Sequence, residues 1–187
     1  LIFTILPAWG LSGAAATLVG QNLGALKAKR AELAVWLTVR YNVIFMASVT
    51  GIYLLFSKQL VGLFTSIPDV GDVAAQGLWV IALGYVFFAV GMVLTQAFNG
   101  AGDTKTPAWI NTGVLLGMEV PLAYFLAFPM GLDYLGIFIA IAFCHSFHAL
   151  VSLYFFKKGN LTILAFTLLF LMSMKISVPS LVNALAT

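Results

Sequence analysis

The chain is 187 residues long, 62% hydrophobic and only 8% charged, with a formal net charge of +3. A soluble domain wets its surface with roughly 25% charged residues. These proportions, with a mean hydropathy of +1.07, therefore exclude a soluble globular protein and predict one integral to the membrane. The single cysteine, Cys144, excludes an intramolecular disulfide.

A helix crossing ~30 Å of hydrocarbon needs about 20 apolar residues. Cutting the chain at its polar islands predicts an all-α polytopic bundle of five spans, at about 1–20, 34–56, 73–98, 107–128 and 135–156. These make one domain of residues 1–158. The chain opens at Leu1 inside an apolar segment with no charged n-region of a signal peptide, so it reads as a fragment of something longer. The first segment contains Pro7, Gly10, Gly13 and Gly20 and reads as a truncated span. The basic stretch 21–32 follows it. Between spans two and three, Leu60, Val61, Leu63 and Phe64 alternate with polar residues, which predicts an interfacial turn ending at Pro68. No convincing internal repeat is visible. Residues 159–187 leave three possibilities open: a sixth, poor span, a re-entrant or interfacial segment, or a sequence not native to the rest.

The connector between spans three and four reads Phe98-Asn99-Gly100-Ala101-Gly102-Asp103-Thr104-Lys105-Thr106-Pro107. Gly100 and Gly102 free the backbone for a tight turn, and Pro107 suits the first turn of a new helix. Asp103 and Thr104 are the expected caps for that helix. Charge then sets orientation. Lys27, Lys29, Arg30, Lys105, Lys157 and Lys158 fall on one side of the membrane, against Lys58, Asp69, Asp72 and Asp133 on the other. Positive loops stay cytoplasmic, so loops 21–33 and 99–106 are expected in the cytoplasm. Arg40 is close enough to the same surface to snorkel. The sequon Asn160-Leu161-Thr162 would then lie where glycosylation does not reach, and is read as chance.

Ionisable groups inside a bilayer are expensive, which leaves few candidates for chemistry. Glu119 is the one carboxylate well inside a span, and Pro121 beside it removes a backbone hydrogen bond and loosens the helix. That makes Glu119 the candidate for binding a proton or cation, against the plainer alternative of a neutral Glu bonded between helices. His145 and His148 share a helical face, with Cys144 one turn from His148. A metal site would need more ligands, so polar packing or a wet cavity wall is expected instead and no metal is assigned. Gln96, Asn99, Asn111, Asn42 and Tyr124 are polar candidates for a cavity wall, although such residues also serve as glue between helices. Tyr85, Phe87 and Phe88 could offer aromatic faces to an organic cation. Trp79 and Trp109 lean towards interface anchoring. Gly100-Ala101-Gly102 follows a helix rather than a strand, so a dinucleotide site fails. No paired catalytic carboxylates and no nucleophile–base pair are present, and nothing points to a nucleic-acid partner.

Two motifs carry a family resemblance. Ala14-Ala15-Ala16-Thr17-Leu18-Val19-Gly20-Gln21-Asn22-Leu23-Gly24-Ala25, followed by Arg30-Ala31-Glu32, resembles the end of a helix in the multidrug and toxic compound extrusion (MATE) family. The connector at 98–107 resembles that family's other recurrent loop, at the same separation of one helical hairpin. Glu119-Val120-Pro121-Leu122-Ala123-Tyr124 is similar to the helix that follows in many bacterial members, and the resemblance covers about residues 5–158. It implies one half of a two-lobe transporter, with Pro7-Ala8-Trp9-Gly10 and the ending at Lys157-Lys158 closer to the second lobe. It implies a secondary antiporter that exports organic cations and other amphipathic compounds in exchange for Na⁺ or H⁺ by alternating access, rather than an enzyme. The implied partners are a small organic substrate, the lipid bilayer of a bacterial inner membrane and the missing N-terminal lobe, and no cofactor beyond the coupling ion. Gly20, Gln21, Gly24, Gly100, Gly102, Asp103 and Pro107 are then structural motif residues. The sequence departs from some bacterial branches in one respect: Phe87, Phe88, Ala89 and Val90 stand where those branches place a cation-binding aspartate. The ion role shifts to Glu119 or to the other lobe. A lipid-linked oligosaccharide flippase of the same superfamily ranks second, with only Arg40 resembling its cavity cations. A membrane enzyme using Cys144, His145 and His148 is the alternative from another class.

Overall fold

A bilayer offers no water to exposed N–H and C=O groups, so a spanning chain must close its hydrogen bonds within itself. In a computed structural model of the chain, which describes residues 2–159, the described residues do so as helices. Their order is α1 (Ile2–Gly24), α2 (Ala28–Gly62), α3 (Pro68–Gly100), α4 (Lys105–Asn111), a π-helical turn (Thr112–Leu116), α5 (Glu119–Ala127) and α6 (Asp133–Lys158). Five segments are long and apolar enough to cross a membrane, the fourth being the broken run Lys105–Ala127. The expectations for residues 160–187, and for the sequon within them, lie outside the described residues.

The helices outrun the predicted spans. The 35 residues of α2 extend roughly 50 Å at 1.5 Å each, well beyond the hydrocarbon. The basic stretch is mostly helix, because Ala, Lys, Arg and Glu are good helix formers, and its true connector is only residues 25–27. The expected interfacial turn is also corrected: α2 continues to Gly62 past a kink at Phe56 (φ −124°, ψ 19°). Pro68 begins α3 rather than ending a turn, in the first-turn position where a missing N–H is harmless.

Helix α3 is the hub and packs on α1, α2 and α6, while α5 packs on α6. Val19, Val35, Val93, Leu94 and Phe156 fill the core at one end. Met46, Tyr53, Ile81 and Tyr85 fill a second core along α2 and α3. A third, smaller cluster joins Ile110 and Val114 to Cys144. Along the α3–α6 contact, a Cβ at Gly77 would strike the Phe138 ring, one at Gly84 would press on Ala142, and one at Gly91 would overlap His148. Their spacing of seven keeps all three on one face, and small residues there let two membrane helices approach closely.

The α3–α4 and α1–α2 connectors close by left-handed C-caps. At the end of α3, Gly102 (φ 82°) takes the left-handed position, and the Asp103 N–H donates to the Phe98 carbonyl at 3.0 Å. The Asp103 carboxylate then accepts from the Thr106 N–H at 3.0 Å and the Thr106 hydroxyl at 2.5 Å. Thr104 makes no cap bond, because the carboxylate one residue earlier already occupies that place. Gly100 plays a different part from the one expected. It is the last residue of α3, and a Cβ there would collide with the Ala16 backbone of α1, while Gly20 faces the Gly100 carbonyl. The two motifs of the sequence therefore touch each other. At the end of α1 the left-handed residue is Leu26 (φ 61°) rather than Gly24, and the Lys27 N–H donates to the Asn22 carbonyl at 2.8 Å. No close approach requires glycine at 24.

Candidate functional site: a cavity beside the broken fourth span

The fourth span is where regular helix fails. Gly113 and Gly117 lower helix propensity, and the Pro121 ring opposes the carbonyl four residues earlier, that of Gly117. The chain answers with a π turn: the Gly117 N–H reaches back five residues to the Thr112 carbonyl at 2.9 Å. Met118 (φ −110°, ψ −44°) ends the irregularity and α5 starts at Glu119, with Pro121 in its first turn, where its missing N–H leaves nothing unpaired.

Asn111 is the last residue of α4, and His148 Nε2 donates to its Oδ1 at 2.8 Å. His148 is 3% exposed. Its Nδ1 is buried without a hydrogen-bond partner among the described residues and lies against Gly91. This bond ties the break in span four to α6 directly beside the hub helix.

A cavity of about 440 Å³ opens at this junction between α1, α3, α4, the π turn and α6. Its lining combines the rings of Trp9 and Phe88 with the amides of Gln96, Asn99 and Asn111, and with His148. Asn99 Nδ2 donates to Gln96 Oε1 at 2.9 Å. The Ser12 and Thr95 hydroxyls donate back to main-chain carbonyls of their own helices, at 2.8 Å and 3.0 Å. No Asp, Glu, Lys or Arg stands among the described residues that line it. A desolvated cation without a partner costs several kcal/mol, whereas an aromatic face returns about 0.5–2 kcal/mol. This cavity suits an uncharged group far better than an ammonium.

Of the substrate candidates, Phe88, Gln96, Asn111 and His148 line this cavity together. His145 stands just behind it, half-buried, with its ring 4.3 Å from that of Phe88 and its Nδ1 unpartnered among the described residues. Tyr85 does not reach it. That ring is 1% exposed in the α2–α3 core, beside Tyr53 at 6.0 Å, and the Tyr53 hydroxyl there lies 2.9 Å from Thr4 Oγ1. Tyr124 is turned outward, 63% exposed against Phe128, because its place on α5 lies away from α6. Trp9 and Ser12 are not among the cavity candidates that the sequence offers. Only the packing of α1 on α3 brings them to the site, and a lone Ser and a lone Trp in an apolar run give no local signal.

Glu119 lies outside this cavity, across the π turn. It is half-buried, its Oε2 has no hydrogen-bond partner among the described residues, and it stands within electrostatic reach of the Cys144 thiol. Cys144, His145 and His148 do not converge: they face the third core, Phe88 and Asn111 respectively. No group of three such side chains able to hold a metal forms among the described residues.

The family model MatE matches residues 1–125. The chain belongs to the MatE family. Among its relatives, the probable multidrug resistance protein NorM of Thermotoga maritima is 28% identical over 84% of this chain and 34% of its own length. Protein DETOXIFICATION 15 of Arabidopsis thaliana is 30% identical over 71% of this chain and 28% of its own. A solved MATE in the straight conformation superposes with a TM-score of 0.80 at 21% identity, over 87% of this chain and 36% of that one. The chain thus spans about a third of the length of these relatives. It is a multi-pass membrane protein with a MatE-type helical fold, and the relatives carry multidrug-resistance and detoxification names rather than enzyme names. The MatE match runs from α1 into α5 and includes every described cavity residue except His148.

Proposed function

We propose that this chain is the second lobe of a two-lobe MatE antiporter that exports amphipathic organic compounds, organic cations among them, in exchange for Na⁺ or H⁺ by alternating access. The observation that carries it is the 440 Å³ cavity lined by aromatic rings and amides, set where the fourth span is broken, in a chain of this family. Irregular backbone at membrane depth is tolerated where it is buried in protein or lines a wet cavity, and Leu115 of the π turn lines this one. The N-terminal lobe would close the cavity from the opposite side.

Glu119 is the coupling residue in this proposal. It is a carboxylate with a buried, unpartnered oxygen at the loosened turn, and nothing else in the described spans offers an acidic group so placed. The connectors and adjoining helix ends that carry Lys27, Lys29, Arg30 and Lys105 are cytoplasmic, in keeping with the distribution of positive charge. The test is ion-driven export by the full-length transporter in proteoliposomes. Glu119→Gln is expected to abolish export down an imposed Na⁺ or H⁺ gradient while leaving substrate binding in place. Export at the wild-type rate would remove Glu119 from the mechanism. The enzyme alternative loses its footing, because its three residues face different neighbours.

A further inference from the structure

The cavity wall supplied by this chain contains carboxamides and aromatic rings but, among its described residues, no side chain of Asp, Glu, Lys or Arg. Its amides are only partly engaged with each other. In the Gln96–Asn99 pair one N–H bonds one oxygen at 2.9 Å, leaving the Gln96 amide N–H₂ and the Asn99 carbonyl oxygen over. Asn111 uses Oδ1 to accept from His148, which leaves its N–H₂ over as well. Two amide donors therefore line the same cavity as the Phe88 and Trp9 rings.

From this we infer that this lobe binds the uncharged, aromatic end of a substrate and selects for a ring carbonyl, which Gln96 and Asn111 would hold by hydrogen bonds while Phe88 and Trp9 cover the ring. The inference rests on the transport reading and sharpens it: any positive charge on the substrate is seated elsewhere. A cation would find ring faces and the Asn99 oxygen here, but no carboxylate among the described lining residues. A carbonyl oxygen finds two N–H₂ groups that otherwise go unpaired once water leaves, and a site built to donate discriminates against the ligand that cannot accept.

The test compares two radiolabelled tricyclic probes, xanthone and xanthene, each carrying the same quaternary ammonium tail, on the full-length transporter. They differ chiefly in the ring carbonyl. Equilibrium binding and export in proteoliposomes are both measured, on the wild type, on Gln96→Met and on Asn111→Leu. The xanthone is expected to bind roughly five- to ten-fold tighter than the xanthene. Gln96→Met should bring that ratio close to one. Equal binding of the two probes by the wild type overturns the inference, as does a ratio that survives both substitutions. If both variants lose both probes alike, the amides shape the cavity rather than read the ligand, and the inference falls. Export of neither probe with the binding ratio intact would bring down the transport reading alone. Export of both with equal binding would bring down this one alone.

Discussion

His148 shows how one side chain links two helices around a third. Its Nε2 holds Asn111 at the end of α4, and its ring occupies the space that a side chain at Gly91 would need. Gly91→Ala must push the ring away and stretch the 2.8 Å bond. An inserted methyl in a packed core costs about 1–3 kcal/mol. The expected outcome is a lower melting temperature and weakened substrate binding, measured on purified full-length transporter. A second substitution, Gly91→Ala combined with His148→Ala, should recover part of the stability, since the collision is gone. Stability unchanged in Gly91→Ala would mean that the ring is not wedged. The sequence made His148 visible as a polar residue in an apolar helix, but Gly91 was silent. Its role is a distance to another helix, and no local pattern encodes that distance.

At the scale of the elements, the connectors divide into well-suited and strained. The α3–α4 connector places glycine at its left-handed position and a carboxylate over the Thr106 N–H. The α1–α2 connector places Leu26 in the left-handed region with 60% of its surface exposed, a conformation that costs an L-residue about 1–2 kcal/mol. Leu26→Gly is therefore expected to raise stability by roughly 1 kcal/mol. Asp103→Ala should lower it by about as much through the lost cap, reducing folded yield before substrate choice changes. Thermal unfolding of both variants side by side checks the opposite signs. An altered drug profile at normal yield in Asp103→Ala would contradict a purely structural role. Element existence was legible because long uncharged runs between polar islands admit little else in a membrane. The ends were not, since Ala, Lys and Glu continue a helix past the lipid as readily as they form a loop. The break in span four was half legible: Pro121 announced it, but the π turn falls upstream, where the carbonyl opposed by the ring is found.

For the whole molecule, orientation is the property that charge alone forecasts. Lys29→Cys in a Cys144→Ala background should resist a membrane-impermeant maleimide in intact cells and react with it in inverted vesicles. Labelling from the opposite face would invert the topology. The cavity, by contrast, was only partly foreseen. Phe88, Gln96, Asn111 and His148 stood out by chemistry and do assemble, whereas Tyr85 and Tyr124 stood out equally and do not. Which polar residue faces a cavity depends on helix rotation, and rotation here is set by the glycines of α3.

Those glycines also carry a mechanical consequence. The Phe138 ring over Gly77 and the His148 ring over Gly91 act as two pegs in two sockets on the same rail. The next equivalent socket lies seven residues along, a step of roughly 10 Å. Helix α6 therefore has no nearby register into which it can slip against α3. The pair behaves as a single stiff beam, and any bending of this lobe falls to the jointed span that leans on it, between Asn111 and Glu119.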